Sequence, residues 1–262
     1  MGAAIRMDLN SDMGESFGRW TLGNDAELME VITSANIACG WHGGDPAVMR
    51  NTVSMAVERG VGVGAHVALP DLLGFGRRRM AVTPDEIYDY AMYQAGALRA
   101  FAEAAGGRLQ HVKPHGAFYV MCAADEALAG ALLRAVQALG DDVMLFGMGE
   151  IEPRLAEAAG VDYVREGYID LNYDNSGSLV LERNKGAWDP EEVARRAVRL
   201  ATKAEVGTVE GDVLPLSVRT ICIHGDAPNS GEIARRVRQR LEEAGVEIAP
   251  IGGTAAGRTT VA

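Results

Sequence analysis

Short apolar runs that end in glycine, histidine or a carboxylate alternate with amphipathic stretches along this chain. In residues 34–45, Ile37-Ala38-Cys39 gives way to Gly40, His42, Gly43, Gly44 and Asp45. Pro46 then opens a segment in which Val48, Met49, Val53, Met55, Ala56 and Val57 recur at helical spacing. The pattern predicts a buried strand, a tight polar corner and a helix over 46–59, with Asp45 as N-cap and Pro46 at its first position. The same order recurs at 62–66, 111–116 and 221–226. Strands are predicted over 3–9, 34–39, 61–65, 109–112, 143–147, 162–169 and 218–223, with short ones at 179–181 and 246–251. A small hairpin is predicted from 206–209 and 213–216, around Glu210-Gly211-Asp212. Helices are predicted over 25–33, 46–59, 84–105, 124–139, 151–159, 190–204 and 230–244. Thr83, Pro84 and Glu86 have the spacing of a capping box, and Gly106, Gly140 and Gly160 stop helices.

Strands that alternate with helices of this length call for a parallel sheet with crossover helices. No linker or shift of composition divides the chain, so residues 1–251 are expected to form a single α/β domain. Residues 252–262, small and aperiodic, read as a flexible tail. Polar residues at the ends of many successive strands favour a closed barrel over an open sheet, because all strand ends of a barrel meet at one rim.

The length of 262 residues suits such a barrel, and 48% hydrophobic residues suffice for its core. The net charge of −11 disfavours nucleic acid or an anionic membrane surface as partner. No apolar run reaches the roughly 20 residues of a membrane span, and residues 1–6 carry no apolar leader core. Cys39, Cys122 and Cys222 are far apart and read as small buried hydrophobes, which fits a reducing cytoplasm. Neither a G-x-x-x-x-G-K-[ST] loop nor a G-x-S-x-G elbow occurs.

On a barrel, Asp8, Asp12, Glu15, His42, Asp45, His66, Lys113, His115, Asp170, His224 and Asp226 would project at one mouth. Such a set could bind a divalent metal through histidine and carboxylate, with Asp8, Asp12, His42 and His66 as its candidate ligands. It could equally supply acids and bases around a small polar substrate. The catalytic candidates are Asp12, Glu15, His42, Asp45, His66, Lys113, His115, His224 and Asp226. Asn36, Arg77, Arg78 and Asp170 are candidates for substrate contact, since an arginine fork suits a carboxylate or phosphate. Lys113, between a strand valine and Pro114, could fix a carboxylate or polarise a carbonyl. His111, four residues before the strand end, reads as structural, and Asp45 has an alternative reading as a helix cap alone.

These motifs, taken in order, resemble those of the LamB/YcsF family: residues 8–15, Ser34–Gly40 with His42 and Gly44-Asp45-Pro46, Gly64-Ala65-His66, Asp71 with 74–78, Tyr93-Gln94 with Ala97-Leu98, residues 112–117 and His224-Gly225-Asp226. The resemblance runs from about residue 7 to 250. It implies a (β/α)7-type barrel related to glycoside hydrolase and polysaccharide deacetylase barrels. It also implies one component, the A-type, of an ATP-dependent 5-oxoprolinase, which cleaves the lactam 5-oxoproline to glutamate with partner subunits B and C. ATP would then be a co-substrate of the complex. The sequence departs from the family pattern at Leu171, where the family carries arginine, and at Val67, where it carries proline. The competing expectations are a stand-alone metal-dependent amidase or deacetylase and a non-catalytic binding subunit. Homo-oligomers are left open.

Overall fold

The computed structural model describes residues 5–180 and 186–252. Its strands in chain order are β1 (Arg6–Met13), β2 (Ser34–Ala38), β3 (Gly62–Val67), β4 (Leu109–Pro114), β5 (Met144–Gly147) and β6 (Tyr163–Tyr168), then β7 (Asn172–Tyr173), β8 (Leu179–Val180), β9 (Glu205–Gly207), β10 (Val213–Pro215), β11 (Thr220–Cys222) and β12 (Glu247–Ile248). The helices are α1 (Asp25–Leu28), α2 (Pro46–Glu58), α3 (Pro84–Ala104), α4 (Gly116–Ala124), α5 (Glu126–Leu139), α6 (Glu152–Ala159), α7 (Pro190–Lys203) and α8 (Ser230–Glu243). Strands β1 to β6 lie in sequence order, β11 follows β6, and β11 pairs back onto β1, so seven parallel strands close a ring. The closed α/β barrel expected from the strand-end pattern is therefore present. β12 extends β1 at Arg6 and Met7, outside the ring. The hairpin foreseen near residue 210 forms from β9 and β10.

Helix starts follow local chemistry. The Asp45 carboxylate accepts from the Ala47 and Val48 amides ahead of α2, and Thr83 with Glu86 completes both halves of the capping box at α3. Asp125 caps α5 in the same way, just past the end of α4. The chain turns into α4 directly after His115, eight residues before the helix predicted from 124. The 25–33 segment is helical only over the four residues of α1. β1 runs on to Met13, so Asp12 lies inside a strand and not in a corner. The predicted tail beyond Gly252, the start of the first predicted strand and Leu181 lie outside the described residues.

Most apolar side chains pack against the helices, and the barrel interior is largely polar, with Phe146 stacked on His111 among its apolar members. Asp8, Asn10, Ser34, Asn36, Gln110, His111, Lys113, Glu166 and Thr220 are all buried. Glycine makes room for them. A Cβ on Gly64 would collide with the His111 ring, and one on Gly62 with the Gln110 amide. Cys39, Cys122 and Cys222 are buried and form no disulfide, as their apolar settings suggested. Among the described residues no single helix is long and apolar enough to cross a membrane.

Candidate active site

Register sets the mouth. Asp12 lies beside Asn36 on β2, and His66 on β3 lies beside Lys113 on β4. Just past the strand ends come Glu15, His42, His115 and His224, each carried by the corner that follows its strand. The Asp12 carboxylate is the hub. Its Oδ1 accepts from Lys113 Nζ at 3.0 Å and from Asn36 Nδ2 at 2.9 Å. Its Oδ2 lies 3.4 Å from His66 Nε2 and 3.9 Å from His224 Nε2. Burial opposes a charge on Asp12, but His66, Lys113 and His224 outweigh it and hold the carboxyl well below its usual range.

Lys113 is almost sealed from solvent, with 2% of its side chain exposed. Its ammonium also meets Glu166 at 3.0 Å and lies over the Tyr168 ring. Burial disfavours that charge, yet Asp12, Cys222 and Glu166 keep the amine protonated well above the ordinary lysine range. Lys113 therefore fixes two carboxylates of the protein itself, Asp12 and Glu166. Glu166 in turn accepts from the Tyr119 and Tyr168 hydroxyls at 2.6 and 2.7 Å. The sequence reading missed Glu166 and both tyrosines. A lone carboxylate within a strand was the available signal for Glu166.

The histidines pack on one another. The His42 ring stacks on His115 with centroids 3.8 Å apart, and the His66 and His115 rings are perpendicular. His42 Nε2 lies 3.1 Å from Glu15 Oε1, and its buried Nδ1 has no hydrogen-bond partner. Burial drives His42 and His115 well toward the neutral form and raises the Glu15 carboxyl. His224 stands apart. Its backbone N–H and Nδ1 both meet the Asp170 carboxylate, at 2.8 and 2.9 Å, and 16% of its side chain reaches solvent. Arg77, with 44% of its side chain exposed, lies 3.5 Å from Asp226 at the rim.

Several expected site residues are placed elsewhere. The Asp8 carboxylate accepts from the Thr33, Ser34 and Thr220 hydroxyls deeper in the barrel, so it is absent from the histidine group and is no metal ligand there. Asp45 is the α2 cap and also accepts from Gly18 N. Asn36 donates through Nδ2 to Asn10 and Asp12 and meets His111 Nε2 through Oδ1, so its amide is tied into the barrel interior. Arg78 is tied to Asp71 by a pairing through Nε and Nη2 within its own loop. Asp170 orients His224. His111 is structural as read, stacked on Phe146 and bonded to Asn36 at 2.8 Å.

The model of the LamB/YcsF family matches residues 7–256. The chain belongs to the LamB/YcsF family. The 5-oxoprolinase A subunit from Methylococcus capsulatus is 48% identical over 257 residues, covering 97% of this chain and 99% of that one. Its counterpart from Thermococcus onnurineus is 46% identical over 95% of this chain and 98% of its own. The crystal structure of a lactam utilization protein from Thermus thermophilus superposes with a TM-score of 0.86 at 43% identity, over 93% of this chain and 99% of that one.

Proposed function

We propose that this chain is the A-type component of an ATP-dependent lactam hydrolase that converts 5-oxoproline to glutamate with B- and C-type partners. The observation that carries the reading is the line Asp170–His224–Asp12 at the open mouth, in a chain whose near full-length relatives bear the name of the 5-oxoprolinase A component. A lactam amide resists water because nitrogen donates into the carbonyl. Transfer of the γ-phosphoryl of ATP to the lactam oxygen, with loss of ADP, removes that donation. Water then adds to the carbon and the C–N bond breaks as nitrogen takes a proton, which leaves an acyl phosphate; a second water cleaves that anhydride to the carboxylate of glutamate and free phosphate. In this reading the nucleotide site lies on the partners.

Asp170 accepts the His224 Nδ1 proton, which puts the imidazole lone pair on Nε2, the geometry of a base for the attacking water. Arg77 at the rim offers a fork to the substrate carboxylate. The test is reconstitution with the subunits encoded nearby. Glutamate and phosphate should appear one for one from 5-oxoproline and ATP, and His224→Gln should lower kcat by roughly 10²- to 10⁴-fold. Full turnover by that variant would remove His224 from the mechanism; absence of glutamate would remove the substrate. A stand-alone metal-dependent amidase is the second reading, favoured by the imidazole cluster, and it would turn over without ATP or partners.

A further inference from the structure

The two imidazoles at the centre of the mouth are short of a positive charge. A carbonyl oxygen only accepts, so His66 Nδ1 carries its hydrogen toward the Lys113 carbonyl, 3.0 Å away. By the same reasoning His115 Nε2 donates to the Phe75 carbonyl at 2.8 Å. A neutral imidazole has one N–H. The remaining nitrogens, His66 Nε2 and His115 Nδ1, are then bare lone pairs that face each other across 2.9 Å. They repel unless a cation lies between them.

A single shared proton is the smallest such cation, and the charge around the pair argues for a larger one. Asp12, Glu15, Glu166 and Asp170 gather four carboxylates at this end of the barrel, and Lys113 is the one buried ammonium beside them among the described residues. Asp12 Oδ2 and Glu15 Oε1 approach the two bare nitrogens to 3.4 and 3.9 Å. One proton leaves most of that buried charge uncompensated. A divalent ion offsets more of it and needs no imidazolium. The outer contacts match as well: metal-bound histidines anchor their second nitrogen on a carbonyl or carboxylate, as His66 and His115 do here.

We propose that His66 Nε2, His115 Nδ1 and Glu15 hold a divalent transition-metal cation at the barrel mouth, with Asp12 beside it and His42 bracing Glu15 and His115. The ligating atoms of Glu15, His42, His66 and His115 lie within 4.8 Å of one another. Imidazole and carboxylate donors suit zinc, cobalt or manganese. When bound, such an ion polarises a carbonyl oxygen or acidifies a water. This set replaces Asp8 and adds Glu15 and His115 to the ligands expected from sequence. The site is read from this geometry and is independent of which substrate the mouth accepts.

The experiment uses the full chain, stripped with chelator, dialysed and titrated with Co²⁺. One cobalt per chain should bind, with the visible absorption of a nitrogen-ligated ion and a raised melting temperature. His115→Asn and Glu15→Gln should each weaken binding at least about tenfold, while Asp45→Ser at the rim cap keeps full stoichiometry. Should His115→Asn fail to fold, the Glu15→Gln variant carries the comparison. The proposal is overturned if no stoichiometric binding of Co²⁺, Zn²⁺ or Mn²⁺ is found and ¹⁵N-histidine spectra place a proton between His66 and His115. It is also overturned if binding survives both substitutions unchanged.

Discussion

Lys113 is a single ammonium asked to satisfy two carboxylates, Asp12 and Glu166, at 3.0 Å each. Removing it leaves two buried anions facing each other. Lys113→Met should therefore cost about 3–5 kcal/mol of stability, read from the urea midpoint. Glu166→Gln in the same chain should restore part of that loss, and a double variant no more stable than Lys113→Met would break the pairing argument. Glu152 is a different case. It is 2% exposed, its Oε2 accepts from Gly149 N and the Tyr163 hydroxyl, and burial raises its pKa to about 7. The unfolded chain ionises this group near 4.5. Between those values the folded protein holds the extra proton, so stability falls as pH rises from about 4.5 to about 7. Glu152→Gln removes that slope, worth up to about 3 kcal/mol. Melting curves across that range should be flatter for the variant; parallel curves would show that Glu152 is not the source.

At the scale of elements, β3 needs its glycines because of what β4 brings inward. Gly64→Ala would push a methyl into the His111 ring, and through it into Asn36 and the Asp12 hub. Overpacking of this kind costs about 1–3 kcal/mol or more, so the denaturation midpoint should fall and activity with it. An unchanged midpoint would mean the interior is loosely filled. This stacking of layers was only half legible in the chain. Periodicity and caps are local, so Pro46 and Thr83 announced their helices correctly. The β3 glycines were read only as strand residues, because their reason is His111 on the next strand and its contacts beyond. Asp8 looked like a ligand for the same cause: the Thr220 hydroxyl that occupies it is 212 positions away.

Over the whole molecule the ring is fastened where the first and last barrel strands meet. β11 joins β1 through Asp8, Leu9 and Asn10 alone. There the Thr220 hydroxyl donates to Asp8 at 2.5 Å and accepts from Asn10 at 2.7 Å. Thr220→Val keeps the shape and deprives both partners, at a cost of about 1–3 kcal/mol. Hydrogen exchange should show the amides of β1 and β11 losing protection before those of β3 and β4; uniform loss would place the seam elsewhere. That the strands close was legible, since histidine and carboxylate recur at strand end after strand end. Which of them face the opening was not, because Asn36, Asp45 and Arg78 differ from His66 and His224 only in partners that folding supplies.

The enclosure of Lys113 makes the protein its own probe. The sequence holds three lysines, Lys113, Lys185 and Lys203, against 22 arginines. Lys203 lies open on the surface, whereas Lys113 is 2% exposed. An acetylating reagent should modify Lys203 within the intact molecule and leave Lys113 untouched. Mass-spectrometric growth of the Lys113 adduct would then clock each opening of the barrel, one event at a time.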